Sequence, residues 1–176
     1  MSITQYSKKL TLGFFLAASL HGCTGITPAT PSDQTNWATL DSRNASLNAP
    51  QVKVETNAQS YQVGDPIRFR VSSNKSGRLW VVSVNSHNEA TILLPNEAMQ
   101  DNVISAGESF DIPNKMGGQE LRAASPTGQS LVAFIVTPAN KTLDDILVLR
   151  NEKLAWVGFA SDQTWGMTKI KIHVVK

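Results

Sequence analysis

A period of two runs through most of this chain from Val52 onward. Val52 and Val54 alternate with Lys53 and Glu55, and Ile67, Phe69 and Val71 alternate with Arg68, Arg70 and Ser72. Ile170, Ile172 and Val174 alternate with Lys169, Lys171 and His173. Successive side chains of a strand point to opposite faces, so this pattern demands half-buried strands. Leu79–Val84 and Leu131–Val136 are nearly continuous in apolar residues with a β-branched bias, as central strands require. Thr91–Leu94 and Ser109–Ile112 add short strands closed by Pro95 and Pro113, and Asn102–Gly107 reads as a loop or short strand. Turn formers separate these pieces at intervals of about ten residues. The predicted fold is therefore all-β, an antiparallel immunoglobulin-like β-sandwich over residues 51–176. One short helix is expected over 142–149, with Thr142 as N-cap and Asp144 and Asp145 in the first turn, where the helix dipole favours anions.

Upstream of the strands the composition changes twice. Lys8 and Lys9 precede an apolar run, Leu10–Leu20, whose length falls within the ~7–15 residues of a secretory signal. It is too short to span a bilayer, which takes ~20. The run ends at Leu20-His21-Gly22-Cys23, which resembles the lipobox of bacterial lipoproteins, with His21 where that pattern prefers a small residue. The resemblance implies cleavage before Cys23, acyl chains on Cys23 and, with Thr24 rather than Asp following, sorting to the outer membrane facing the periplasm. Cys23 is the only cysteine. No internal disulfide can form, and acylation would leave no thiol for nucleophilic chemistry. Residues 1–22 thus read as the signal peptide and 23–50 as a lipidated flexible tether rich in Thr, Ser, Pro, Ala and Asn, with a coil reach of roughly 30 Å. Trp37 and Leu40 interrupt that polar stretch. They either pack on the domain or form a docking segment for a partner.

Removing residues 1–22 also resets the charge. The whole chain has 16 basic and 14 acidic residues; without Lys8 and Lys9 the numbers are 14 and 14. A neutral chain offers no basic stripe for nucleic acid. Membrane attachment is expected through the lipid alone, and stable anchoring takes more than one acyl chain.

The order of short motifs is informative together. Tyr61-x-Val63-Gly64-Asp65-x-Ile67-x-Phe69-x-Val71 precedes Gly77-x-Leu79-x-Val81-Val82. Leu93-Leu94-Pro95-Asn96, Ala106-Gly107-Glu108, Ile112-Pro113, Pro126-x-Gly128 and Leu131-Val132-Ala133-Phe134 follow. From about Val52 to Pro138 this order is similar to the bacterial domain of unknown function numbered 4384. The resemblance implies a β-sandwich used for binding or scaffolding on exported proteins, and brings no catalytic residues with it.

The residues themselves point the same way. Beyond the leader only His87 and His173 could serve as imidazole bases, and no nucleophile elbow is present. Asp144-Asp145 and Glu97 with Asp101 lack the alternating spacing of a calcium loop. No catalytic residue, metal ligand or cofactor is therefore assigned. Gly64-Asp65 and Pro95-Asn96 are read as turn formers. Trp80, Trp156 and Trp165 read first as core, but Trp165, beside Asp162 and Gln163, is also a candidate partner contact, as is Trp37. The expected function is a non-catalytic, lipid-anchored module that binds other envelope proteins. Peptidoglycan or glycan binding is the first alternative, and an envelope hydrolase whose carboxylates meet only in the fold is the second.

Overall fold

The computed structural model describes residues 35–46, 48–114, 120–157 and 164–176. They fold into three layers. Strands β1 (Val52–Thr56), β3 (Phe69–Ser73) and β7 (Ser109–Ile112) form one sheet in the order β1-β3-β7, antiparallel throughout. The larger, six-stranded sheet runs β2-β11-β8-β4-β5. Its strands are β2 (Ser60–Gln62), β4 (Gly77–Val84), β5 (Ala90–Leu94), β8 (Gly128–Thr137) and β11 (Gly166–Val175). Strand β6 (Val103–Ile104) pairs with the start of β4. All its pairings are antiparallel except β2 with β11, a parallel contact of three residues. The all-β sandwich expected from the alternation is thus present.

Between the two sheets lies the first core. Phe69 and Val71 from the small sheet meet Leu79, Val81, Val132, Phe134, Ile172 and Val174 from the large one. The Phe69 and Phe134 rings pack edge to face at 5.1 Å, a favoured aromatic geometry. Phe69, Val71, Ile172 and Val174 are the inward residues of the alternation, so the face these strands turn to the core follows from the sequence.

The opposite face of the large sheet is covered too. Val82, Val84, Leu131, Ala133 and Ile135 point away from the small sheet into a second core with Leu40, Leu143, Ile146, Leu147, Leu154 and Trp165. The cover consists of helix α1 (Asn36–Asp41), a 3₁₀ turn at Leu143–Asp145, and the hairpin of β9 (Leu147–Arg150) and β10 (Lys153–Trp156). Burial on both faces explains why β4 and β8 carry apolar residues without alternation.

Two expectations change here. The helix predicted over 142–149 is only the three-residue turn, and residues 147–150 are strand. Thr142 does start the turn: the Asp145 carboxylate accepts from its backbone N–H at 2.7 Å and from its hydroxyl at 3.1 Å. The chain then pairs with 153–156 across Asn151 and Glu152, both at positive φ (48° and 64°), the geometry of a two-residue hairpin turn. The tether predicted to reach residue 50 gives way at Thr35. Its hydroxyl caps α1 by accepting from Ala38 N–H at 3.1 Å, and Leu40 is fully buried. After α1 the chain crosses from the outer layer to β1. There the Pro50 carbonyl presses on Gly166, where an added Cβ would lie 2.0 Å from the oxygen.

Candidate functional site

Three places in the fold gather polar or aromatic side chains. The first is the clamp that holds α1. Asn36 is 5% exposed, yet its amide is fully used. Nδ2 donates to the carbonyls of Asn88 (2.8 Å) and Glu152 (2.7 Å), and Oδ1 accepts from Leu154 N–H at 2.8 Å. The Asn88 side chain returns the contact, accepting from Trp37 N–H at 3.0 Å. One residue therefore ties α1 to the β4–β5 turn and to the β9–β10 hairpin. At the other end of α1, Lys169 Nζ donates to the carbonyls of Asp41 (2.7 Å) and Arg43 (2.9 Å), meeting acceptors that a helix leaves open.

The second is a tryptophan cluster under α1. Trp156 and Trp165 stack at 5.8 Å between ring centroids, and Trp156 Nε1 donates to the Thr39 carbonyl at 2.6 Å. Arg43 lies 5.9 Å from the Trp156 ring, within cation–π range. Trp80, on the same face, donates to Thr137 Oγ1 at 3.0 Å. Trp165, one of the two candidate partner contacts, is 4% exposed and belongs to this core. As an exposed anchor it is corrected, because the second layer covers it. Trp37, the other candidate, is half-buried against the same core, with Lys171 Nζ 5.9 Å from its ring.

The third is a groove of about 550 Å³ beside the small sheet, lined by Glu55, Arg68, Arg70, Asp111, Ile112 and Leu121 among others. Arg70 sits directly opposite Glu55 on β1 and Asp111 on β7. Its Nε donates to Asp111 at 2.8 Å, which, with the carboxylate's charge, holds the guanidinium above its ordinary value. Glu120 is bound by Arg122. Asp111 and Glu120 are thus each ion-paired with a guanidinium group.

The remaining candidates are dispersed. His87 and His173 are exposed, and among the described residues no group of three His, Cys, Asp or Glu side chains could hold a metal ion. Asp101 accepts from Val103 N–H at 3.1 Å and Glu97 is exposed. Gly64, at φ +97°, and Asp65, whose carboxylate accepts from Gln62 N–H at 2.7 Å, form a turn. Asn96 does likewise, accepting from Ala98 and Met99 and donating to Leu93. Cys23, Thr24, Asp162 and Gln163 lie outside the described residues. Asn36 and Asn88 escaped sequence reasoning because an asparagine in a polar stretch carries no periodic signal.

Residues 60–140 match the family model described as Domain of unknown function (DUF4384). The chain carries a domain similar to DUF4384. The matched stretch spans β2 through β8 and leaves α1, β1, the β9–β10 hairpin and β11 outside it. The DUF4384-like segment therefore supplies five of the six strands of the large sheet, β2, β4, β5, β6 and β8, while β11, inserted between β2 and β8, comes from beyond it. No curated protein matches the chain.

Proposed function

We propose that this protein is a lipid-anchored, non-catalytic component of the bacterial cell envelope. Acyl chains on Cys23 hold it at the periplasmic face of the outer membrane, and the β-sandwich binds other envelope proteins. The observation that carries this reading is the spacing of anchor and fold: the lipobox-like Leu20-His21-Gly22-Cys23 is followed by eleven residues, Thr24–Gln34, before the cap at Thr35. An anchor, a short spacer and a neutral folded module are the parts of a tethered binding domain. The ion-paired groove with apolar walls supports a polypeptide partner. The glycan alternative loses its main support with the burial of Trp165.

Two measurements test it. Cys23→Ser should abolish incorporation of labelled fatty acid and membrane partitioning; membrane retention of that variant would overturn the anchor. Crosslinking in intact cells followed by purification from detergent-solubilised membranes should capture a discrete envelope protein. Retention on purified peptidoglycan, with no protein captured, would replace the reading with glycan binding.

A further inference from the structure

The end of the domain at which the chain leaves the fold is fixed by the Asn36 clamp. Thr35 and Asn36 sit against the β4–β5 turn through Asn88 and against the β9–β10 turn through Glu152. Ser86 of the first turn donates to the Thr127 carbonyl at 2.7 Å, so the start of β8 lies at this end as well. Val174 pairs with Gly128 and Val63 N–H donates to the Val175 carbonyl, which brings the end of β11 to the same place. The opposite end is built from the β3–β4 connection at 74–76, the residues around Gly107 and the segment after Thr137. Gly107 N–H donates to the Ser73 carbonyl, Ala106 N–H to Ser76 Oγ, and Arg78 pairs with Thr137. Strand β4 connects the two ends with eight residues, a rise of ~25 Å.

Against that dimension the spacer is short. The twelve-residue step from Cys23 to Thr35 has a fully extended limit of ~40 Å, and a flexible coil of that length would have an r.m.s. reach of roughly 20 Å. To bring the 74–76 end to the bilayer, the spacer would have to run back along the whole of β4, stretched to more than half its limit. We propose that the end bearing the Asn85–Glu89 and Asn151–Glu152 turns faces the lipid surface, and that the 74–76 end projects away from it, toward partners. This rests on the proposed anchor at Cys23.

The test uses the chain from Cys23 to Lys176, coupled through its one thiol to maleimide-lipid vesicles. A fluorophore is clicked onto p-azidophenylalanine placed either at His87 or at Lys75, both exposed and on opposite ends. A spin-labelled phospholipid headgroup is the quencher. Quenching at His87 should exceed that at Lys75 at least about twofold, given the ~25 Å between them. Inserting twenty Gly/Ser residues between Thr30 and Pro31 raises the coil reach to roughly 30 Å and should erase the difference. Equal quenching without the insertion, or stronger quenching at Lys75, overturns the orientation. Flotation of the cell-made protein with membranes is scored separately, and its failure strikes the anchor itself.

Discussion

Replacing Asn36 by Ala probes whether the outer layer is integral to the fold. The substitution removes three hydrogen bonds of 2.7–2.8 Å. It leaves Leu154 N–H buried without a partner, which costs about 1–3 kcal/mol. The carbonyls of Asn88 and Glu152 are only partly buried, and losing their donor costs roughly 0.5–1.5 kcal/mol each. The sum is about 2–6 kcal/mol, centred near 4, a large share of the ~5–15 kcal/mol that holds a domain folded. For a unit of this size that lowers Tm by roughly 10 °C. Urea unfolding followed by circular dichroism measures the loss. Amide exchange should locate it in α1 and the 147–156 hairpin before the rest. Asn36→Asp sharpens the test: it keeps the acceptor for Leu154 but turns a carboxylate oxygen toward two carbonyls, so it should be at least as damaging at neutral pH. If Asn36→Ala costs less than ~1 kcal/mol and exchange in the hairpin is unchanged, α1 is an ornament of the tether and the three-layer argument fails.

Trp165→Ala should cost about 3–5 kcal/mol of stability in thermal melts, as truncation of a buried aromatic does, with partner capture unchanged wherever the protein stays folded. Gly166→Ala should destabilise by roughly 1–3 kcal/mol because its Cβ would meet the Pro50 carbonyl at 2.0 Å; a melt matching the parent would show that the crossing strap yields easily. Asp145 is held below the usual carboxylate range, first by the Thr142 backbone N–H and then by the Thr142 hydroxyl. A depressed folded value means that its stabilisation is present above the ordinary carboxylate value and is lost as pH falls through the folded one. Asp145→Asn should therefore melt below the parent at neutral pH and converge with it in acid; a gap independent of pH would refute the assignment.

Much of this protein was legible in one dimension. The alternation in Val52–Glu55, Ile67–Ser72 and Lys169–Val174 determined which side chains enter the inner core, because a strand can present only alternate residues to one face. Pro95, Pro113 and the Gly64-Asp65 pair set strand ends, since their backbone geometry is local. Leu20–Cys23 stated the case for an anchor without any fold at all. The third layer was written more faintly. Six apolar-rich positions in a row at Leu79–Val84 and again at Leu131–Val136 cannot be served by a two-layer sandwich, which covers only one face of each sheet. That pattern demanded a cover but could not name it. Only the tertiary structure showed that the cover includes Asn36–Asp41, from a stretch that composition assigned to the tether, and the hairpin at 147–156, whose first half resembled a helix. A six-residue helix and a two-residue turn are too short to leave a periodic signature, and they exist because the large sheet offers them an apolar surface. The same packing decided that Trp165 is core, and fixed the end of the sandwich from which the chain departs toward Cys23.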